Sequence, residues 1–182
     1  MQLNPEPLSG RVMRLEPLTP ELKAPLRAAM NGHAADWVLM ATNGGDAGFD
    51  AWWSGALADM ADGHRLAYVI RRLSDGVVVG TTSLMEISPR HRKLEIGSTF
   101  LQADARGGLI NPDAKRALLA YVFDQGAVRA EIITDARNLR SQAAIAKLGA
   151  VREGVLRRHK LTWTGHVRDT ALFSVLATEW SQ

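Results

Sequence analysis

No cysteine occurs in the 182 residues. That absence removes disulfides, thiolate zinc centres, iron–sulfur clusters and a cysteine nucleophile together. Long apolar runs are missing too. No stretch approaches the ~20 residues of a membrane span, and the opening MQLNPEPLSGRVMRLEPL holds no apolar run of signal-peptide length. A cytoplasmic protein with no membrane partner is the expectation. Neither G-x-x-x-x-G-K-[ST] nor G-x-G-x-x-G is present, so the nucleoside triphosphate and dinucleotide fingerprints are absent. Basic runs are short, and 22 Lys and Arg against 19 Asp and Glu leave only +3. That is too mild to point to nucleic acid. Repeats, low-complexity tracts and linkers are absent.

What is present suits a packed core. Hydrophobic residues make up 46% and charged residues 23%, and this length fits a single domain over 1–182. RVMRLEPL (11–18) alternates like a half-buried strand and ends at Pro17 and Pro20. A helix is predicted over 21–31, a loop rich in Gly, Asn and Asp over 33–48, and a second helix over 49–60. Three strands follow, at 65–73, 77–87 and 93–102, the first two joined by a hairpin at Ser74-Asp75-Gly76. A helix from Asn111-Pro112 to Gly126, a strand over 128–135, a helix from Asn138 to Gly149 and two closing strands complete the chain. Seven strands and four helices in this order predict an α/β (α+β) sandwich around one mixed sheet.

RGGLINPDAK (106–115) is an unusual helix entrance. Glycines precede a cap-like Asn111 and a Pro112 suited to the first helical position, yet Lys115 adds positive charge where the helix dipole is already positive. A strand feeding a Gly-rich turn and a helix N-terminus gathers unpaired NH groups around one point, which favours an anion. Arg106 and Lys115 then face that anion. Alternatively Gly107 and Gly108 only permit a tight turn and Lys115 points to solvent. In NLRSQAAIAKLGA, Asn138 and Ser141 lie at the front of a helix after a central strand, either facing a common cleft or acting as a cap and an ordinary serine.

Taken with GRVMRLEPL, KLEIGSTFLQ, REGVLRRH and GHVRDTALFSVLATEW, these segments resemble the GNAT acetyltransferase superfamily, in its RimJ/RimL branch of ribosomal-protein N-terminal acetyltransferases. The resemblance runs from about Gly10 to Trp180. It implies a GNAT fold with splayed central strands and acetyl-CoA as donor, with no metal. The diphosphate would be held by the backbone after the 93–102 strand, and the pantetheine between that strand and 128–135. The residues matched to the donor are Phe100, Leu101, Gln102, Arg106, Gly107, Gly108, Asn111, Lys115, Asn138 and Ser141. Asp104 stands where the superfamily loop usually has Gln or Arg, and Leu109 where it has Gly or Ala. Homodimers are common in the superfamily.

Direct transfer needs a neutral amine, a donor to the oxyanion and a proton for the leaving thiolate. A backbone NH within Thr99–Leu101 suits the oxyanion, and the Ser141 hydroxyl suits the sulfur. For the base, Glu95 matches the catalytic glutamate of histone-acetylating members; it reads equally as a strand carboxylate paired with Arg92 or Lys93. His159 is the nearest titratable group where RimL-like proteins place a glutamate, and it also reads as a surface histidine. Arg152, Arg157, Arg158, Lys160 and Arg168 form either a solvated hairpin face or a contact for CoA phosphate or an acidic acceptor. Trp37, Trp52, Trp53 and Trp163 read as core or pocket wall. The function implied is acetyl transfer to a primary amine, a protein N-terminus or a small molecule. The alternative is a non-catalytic GNAT-fold module binding acyl-CoA or protein.

Overall fold

The computed structural model describes residues 1–32 and 34–180. His33, at the head of the predicted 33–48 loop, and Ser181 and Gln182, at the end of the predicted 1–182 domain, lie outside the described residues. The strands are β1 (Leu8–Ser9), β2 (Met13–Pro17), β3 (Leu66–Arg72), β4 (Val78–Ser88), β5 (Lys93–Leu101), β6 (Arg129–Asp135), β7 (Val151–Leu161) and β8 (Val167–Leu176). The helices are α1 (Lys23–Met30), α2 (Phe49–Ala61), α3 (Ile110–Asp124) and α4 (Leu139–Lys147). All strands join one sheet in the order β1-β2-β3-β4-β5-β6-β8-β7. The mixed α/β architecture around one mixed sheet is as predicted, with eight strands among the described residues in place of seven. The extra one, β1, is two residues long and pairs Leu8 with Leu15, too short to leave a periodic signal.

Alternation along the strands builds two cores. Leu66, Tyr68, Ile70, Leu84, Leu94 and Ile96 project to the face covered by α3, whose Ala114, Leu118 and Val122 recur at helical spacing and are fully buried. Ala67, Val69 and Phe100 project to the other face, against α1 and the Trp52/Trp53 pair of α2. One consequence of this two-faced burial is that each residue of β5 addresses a defined side of the sheet.

The 33–48 segment forms short 3-10 turns at Ala34–Trp37 and Asp46–Gly48. Trp37 is 2% exposed and stacks on Phe100 with ring centroids 4.1 Å apart and planes at 6°. Opposite it comes the tip of the β7–β8 hairpin. Trp163 donates its indole NH to Trp37 O at 2.8 Å and its backbone NH to Ala41 O at 3.1 Å. Segments far apart in the chain are thereby joined over one face of the sheet, above the C-terminal half of β5.

Candidate active site

Between β5 and β6 the pairing is parallel and stops early. Only Lys93 with Arg129, Leu94 with Ala130 and Glu95 with Glu131 are in register, although both strands run on to Leu101 and Asp135. Beyond Glu95 the β6-facing edge of β5 therefore has no strand partner, and a V-shaped gap opens in the sheet. On its other edge β5 stays paired to β4, with a bulge. Thr81 opposes Phe100 and Ser83 opposes Gly97, so Ser98 and Thr99 share one place opposite Thr82. Ser98 takes φ +48°, a conformation that costs a non-glycine residue about 1–3 kcal/mol. Arg65 holds the bulge, donating to Ser83 Oγ and Ser98 Oγ, both at 3.0 Å, with its guanidinium over Trp52 at 5.3 Å.

The loop after β5 delivers the chain from this gap to α3. Gly107 has φ +79°, and a Cβ at Gly107 or Gly108 would meet no atom within 4 Å, so the two glycines face open space. Helix α3 starts at Ile110 with Leu109 at its N-cap and no side-chain cap. Its first NH groups are left to a ligand or solvent. This corrects the predicted start: Asn111 is not the cap but lies inside the first turn, because Pro112 needs no NH partner there and the helix extends past it. Asn111 Oδ1 is buried with no hydrogen-bond partner among the described residues. Arg106 sits at the loop but is engaged, donating to Leu101 O and pairing with Asp36, both at 2.6 Å.

Lys115 departs from both sequence readings, facing neither a loop anion nor solvent. It is 7% exposed, and its Nζ donates to Thr99 Oγ1 at 2.7 Å and Thr82 Oγ1 at 3.3 Å. It is thus packed beneath the bulge, on the α3 face. Burial lowers its pKa to about 7, with Glu95 opposing the shift. Between that value and the ordinary lysine value the folded protein binds fewer protons than the unfolded chain, so stability rises with pH across this window and is level below it. Lys115→Met leaves Thr82 and Thr99 bonded to each other at 2.8 Å. It is expected to raise stability at pH 7 by about 1–3 kcal/mol and to flatten the pH slope, as urea melts at pH 7 and pH 10 will show.

At the far side of the gap, Asn138 caps α4, its Oδ1 accepting from Ser141 N at 3.0 Å. The cap reading is realised, and the same bond turns the half-buried Ser141 into the first turn of α4, directly after β6. Phe100 and Leu101 are buried at the end of β5, and Gln102 N donates to Val79 O at 2.9 Å.

Glu95 is 6% exposed, and neither Arg92 nor Lys93 pairs with it. Lys93 reaches Glu131 at 3.2 Å, Arg92 donates to Gly126 O, and Glu95 instead meets Lys160 at 3.8 Å. Gly97 makes room for it, since a Cβ there would stand 2.5 Å from Glu95 Oε1. Burial pushes the Glu95 carboxyl above its ordinary range, while Lys160 pulls it down. Strand register places Glu95, Asp135, Thr170, Arg168 and Lys160 on one face, the face that carries α1 and α2. A bulge in β7 sets that alignment: Leu156 opposes Thr170 and Lys160 opposes Arg168, with Arg158 at φ +51° donating its NH to Asp169 at 2.7 Å. His159 is exposed beside it; partial burial and its cationic neighbours lower its pKa.

The end of β5 with its glycine loop and the Asn138–Ser141 start of α4 thus follow the two diverging strands, with Glu95 at their last paired position. Sequence reasoning missed Thr82, Arg65 and Asp36, and it named Thr99 only for its backbone, not for the hydroxyl that meets Lys115. A polar run, GTTS, in an otherwise apolar strand was the available signal for Thr82.

Comparison with known proteins bears on this arrangement. The family model described as an acetyltransferase (GNAT) domain matches residues 13–151. A GCN5-related N-acetyltransferase from Brucella melitensis superposes with a TM-score of 0.87 at 30% identity, over 98% of this chain and 81% of that one. RimJ of Mycobacterium smegmatis, solved in complex with CoA-disulfide, gives a TM-score of 0.80 at 26% identity, over 98% of this chain and 90% of that one. No curated protein sequence matches.

Proposed function

Because the chain belongs to the acetyltransferase (GNAT) family and is an acyltransferase enzyme, we propose that it moves an acetyl group from acetyl-CoA to a primary amine by direct transfer. The observation that carries this is the early end of β5–β6 pairing next to a glycine loop that opens an uncapped helix. An unpaired strand edge accepts an extended amide chain as a further strand, and an uncapped helix start accepts a diphosphate. The residues fit the donor: Gly107 and Gly108 leave open space, and the buried Asn111 Oδ1 has no donor among the described residues. Phe100, Leu101 and Gln102 would line the arm, and Arg106 the diphosphate. The donor supplies an activated acyl group and a thiolate leaving group.

The chain's own groups supply the rest. A backbone NH within Thr99–Leu101 is placed to receive negative charge on the acyl oxygen. The Ser141 hydroxyl, at the opposite lip of the gap, stabilises the departing sulfur. Glu95, buried on the acceptor face, takes the proton from the amine. His159, exposed on the edge strand, is a second carrier of that proton to solvent. The likeness to RimJ supports placing the chain with the RimJ/RimL branch, and a protein N-terminus or a small amine is the acceptor class. The expected result is a CoA-dependent rise in melting temperature together with thiol release from acetyl-CoA in the presence of an amine. Unchanged melting across millimolar CoA would overturn the reading.

A further inference from the structure

Arg168 is a buried cation on which no carboxylate closes. It is 5% exposed, and its Nε donates to Thr170 Oγ1 at 3.0 Å. The acids whose charge reaches it are Asp135 and Glu95. Asp135 is bonded to the Arg137 side chain at 2.7 and 3.0 Å, and Glu95 faces Lys160 at 3.8 Å. No ion pair takes the rest of the Arg168 guanidinium among the described residues. Its cross-strand neighbour in register is a second cation, Lys160. Like charges directly opposite on paired strands repel, and a buried charge without a partner is costly. A bound anion relieves both.

We propose that Arg168, with Lys160, forms an anion subsite of the acceptor cleft, and that the amine acceptor carries a carboxylate within about one residue of the reacting nitrogen. This rests on the N-acetyltransferase reading above. Lys160 stands between the two ends of the site, opposite Arg168 and 3.8 Å from Glu95. An amine directed at Glu95 and a carboxylate directed at Arg168 therefore belong to one small moiety. The unused fork of a guanidinium matches a carboxylate in two parallel hydrogen bonds, and Glu95 nearby disfavours a doubly charged phosphate. The CoA phosphates belong elsewhere, at the loop leading into α3, which covers the opposite face.

Matched acceptors test this: alanine against alaninamide for a free α-carboxylate, and amidated Ala-Glu against amidated Ala-Gln for an acidic side chain. The wild type is expected to prefer the carboxylate member of at least one pair by about 10-fold or more in kcat/KM, through KM. The pair that shows the preference identifies the source of the carboxylate. Arg168→Met is expected to bring the members within about 2-fold, and Arg168→Lys to keep part of the preference. No preference in either pair, or one that survives Arg168→Met, overturns the subsite. Calorimetric titration of the same compounds into the CoA-saturated protein reads the preference without turnover. If the carboxylate is preferred there while no amine is acetylated, the subsite stands and the transferase reading falls. Equal binding of both members overturns the subsite in either case.

Discussion

Gly107→Glu is expected to abolish the rise in melting temperature that CoA gives the wild-type protein. Two effects act together. Gly107 has φ +79°, where an L-residue costs roughly 1–2 kcal/mol. The added carboxylate then projects into the open space in front of α3, where the reading places the diphosphate. In a partly desolvated site, like charges a few ångströms apart cost about 4 kcal/mol at an effective dielectric near 20. That corresponds to a loss in affinity of roughly 10³-fold. Gly107→Ala separates the terms: it carries the strain without the charge and meets no atom within 4 Å. It should lower the melting temperature slightly and keep most of the CoA response. If Gly107→Glu responds to CoA as the wild type does, the diphosphate lies elsewhere.

The second large effect is expected at Glu95. As a base its carboxyl must be ionised, and burial holds its pKa above the ordinary glutamate range. The wild-type kcat/KM should therefore rise with pH through that raised value, and Glu95→Gln should remove this acidic limb. A positioned base contributes about 10²–10⁴-fold, and the size of the loss depends on the acceptor. At pH 7, freeing an α-amine with a pKa of about 7.7–8.0 costs roughly 1 kcal/mol, and freeing a lysine amine of about 10.4 costs more than about 4 kcal/mol. Glu95→Gln should accordingly impair lysine-like acceptors far more than α-amines. An unaltered pH profile, with only a change in stability, would reduce Glu95 to a structural partner of Lys160.

Much of this architecture was legible because local and tertiary signals agree. Strand alternation, the Ser74-Asp75-Gly76 hairpin and the Asn138 and Gly149 boundaries of α4 all appear within a residue or two of their expected places. The predicted cap at Asn111 failed because Pro112 is compatible with any of the first helical positions, so the dipeptide does not fix where the turn begins. Lys115 was misplaced for a different reason. Its helix face is set by the packing of α3 against Thr82 and Thr99, and a lysine carries no periodic signal of burial. Glu95 was found, but its partner came from Lys160, 65 positions away, aligned by the β7 bulge. The gap itself has no local code, since β5 and β6 both look like complete strands and only their divergence makes the site.

That divergence leaves two blocks of sheet, β1–β5 and β6–β8, stitched by three residue pairs at one end and by Trp163 on the 37–41 segment at the other. Along the seam between them, strand pairing stops beyond Glu95 and Glu131. A substrate lying along it would act as the missing thread, so occupancy and mechanical integrity rise and fall together, and amide protons flanking the seam would exchange most slowly when the enzyme is loaded.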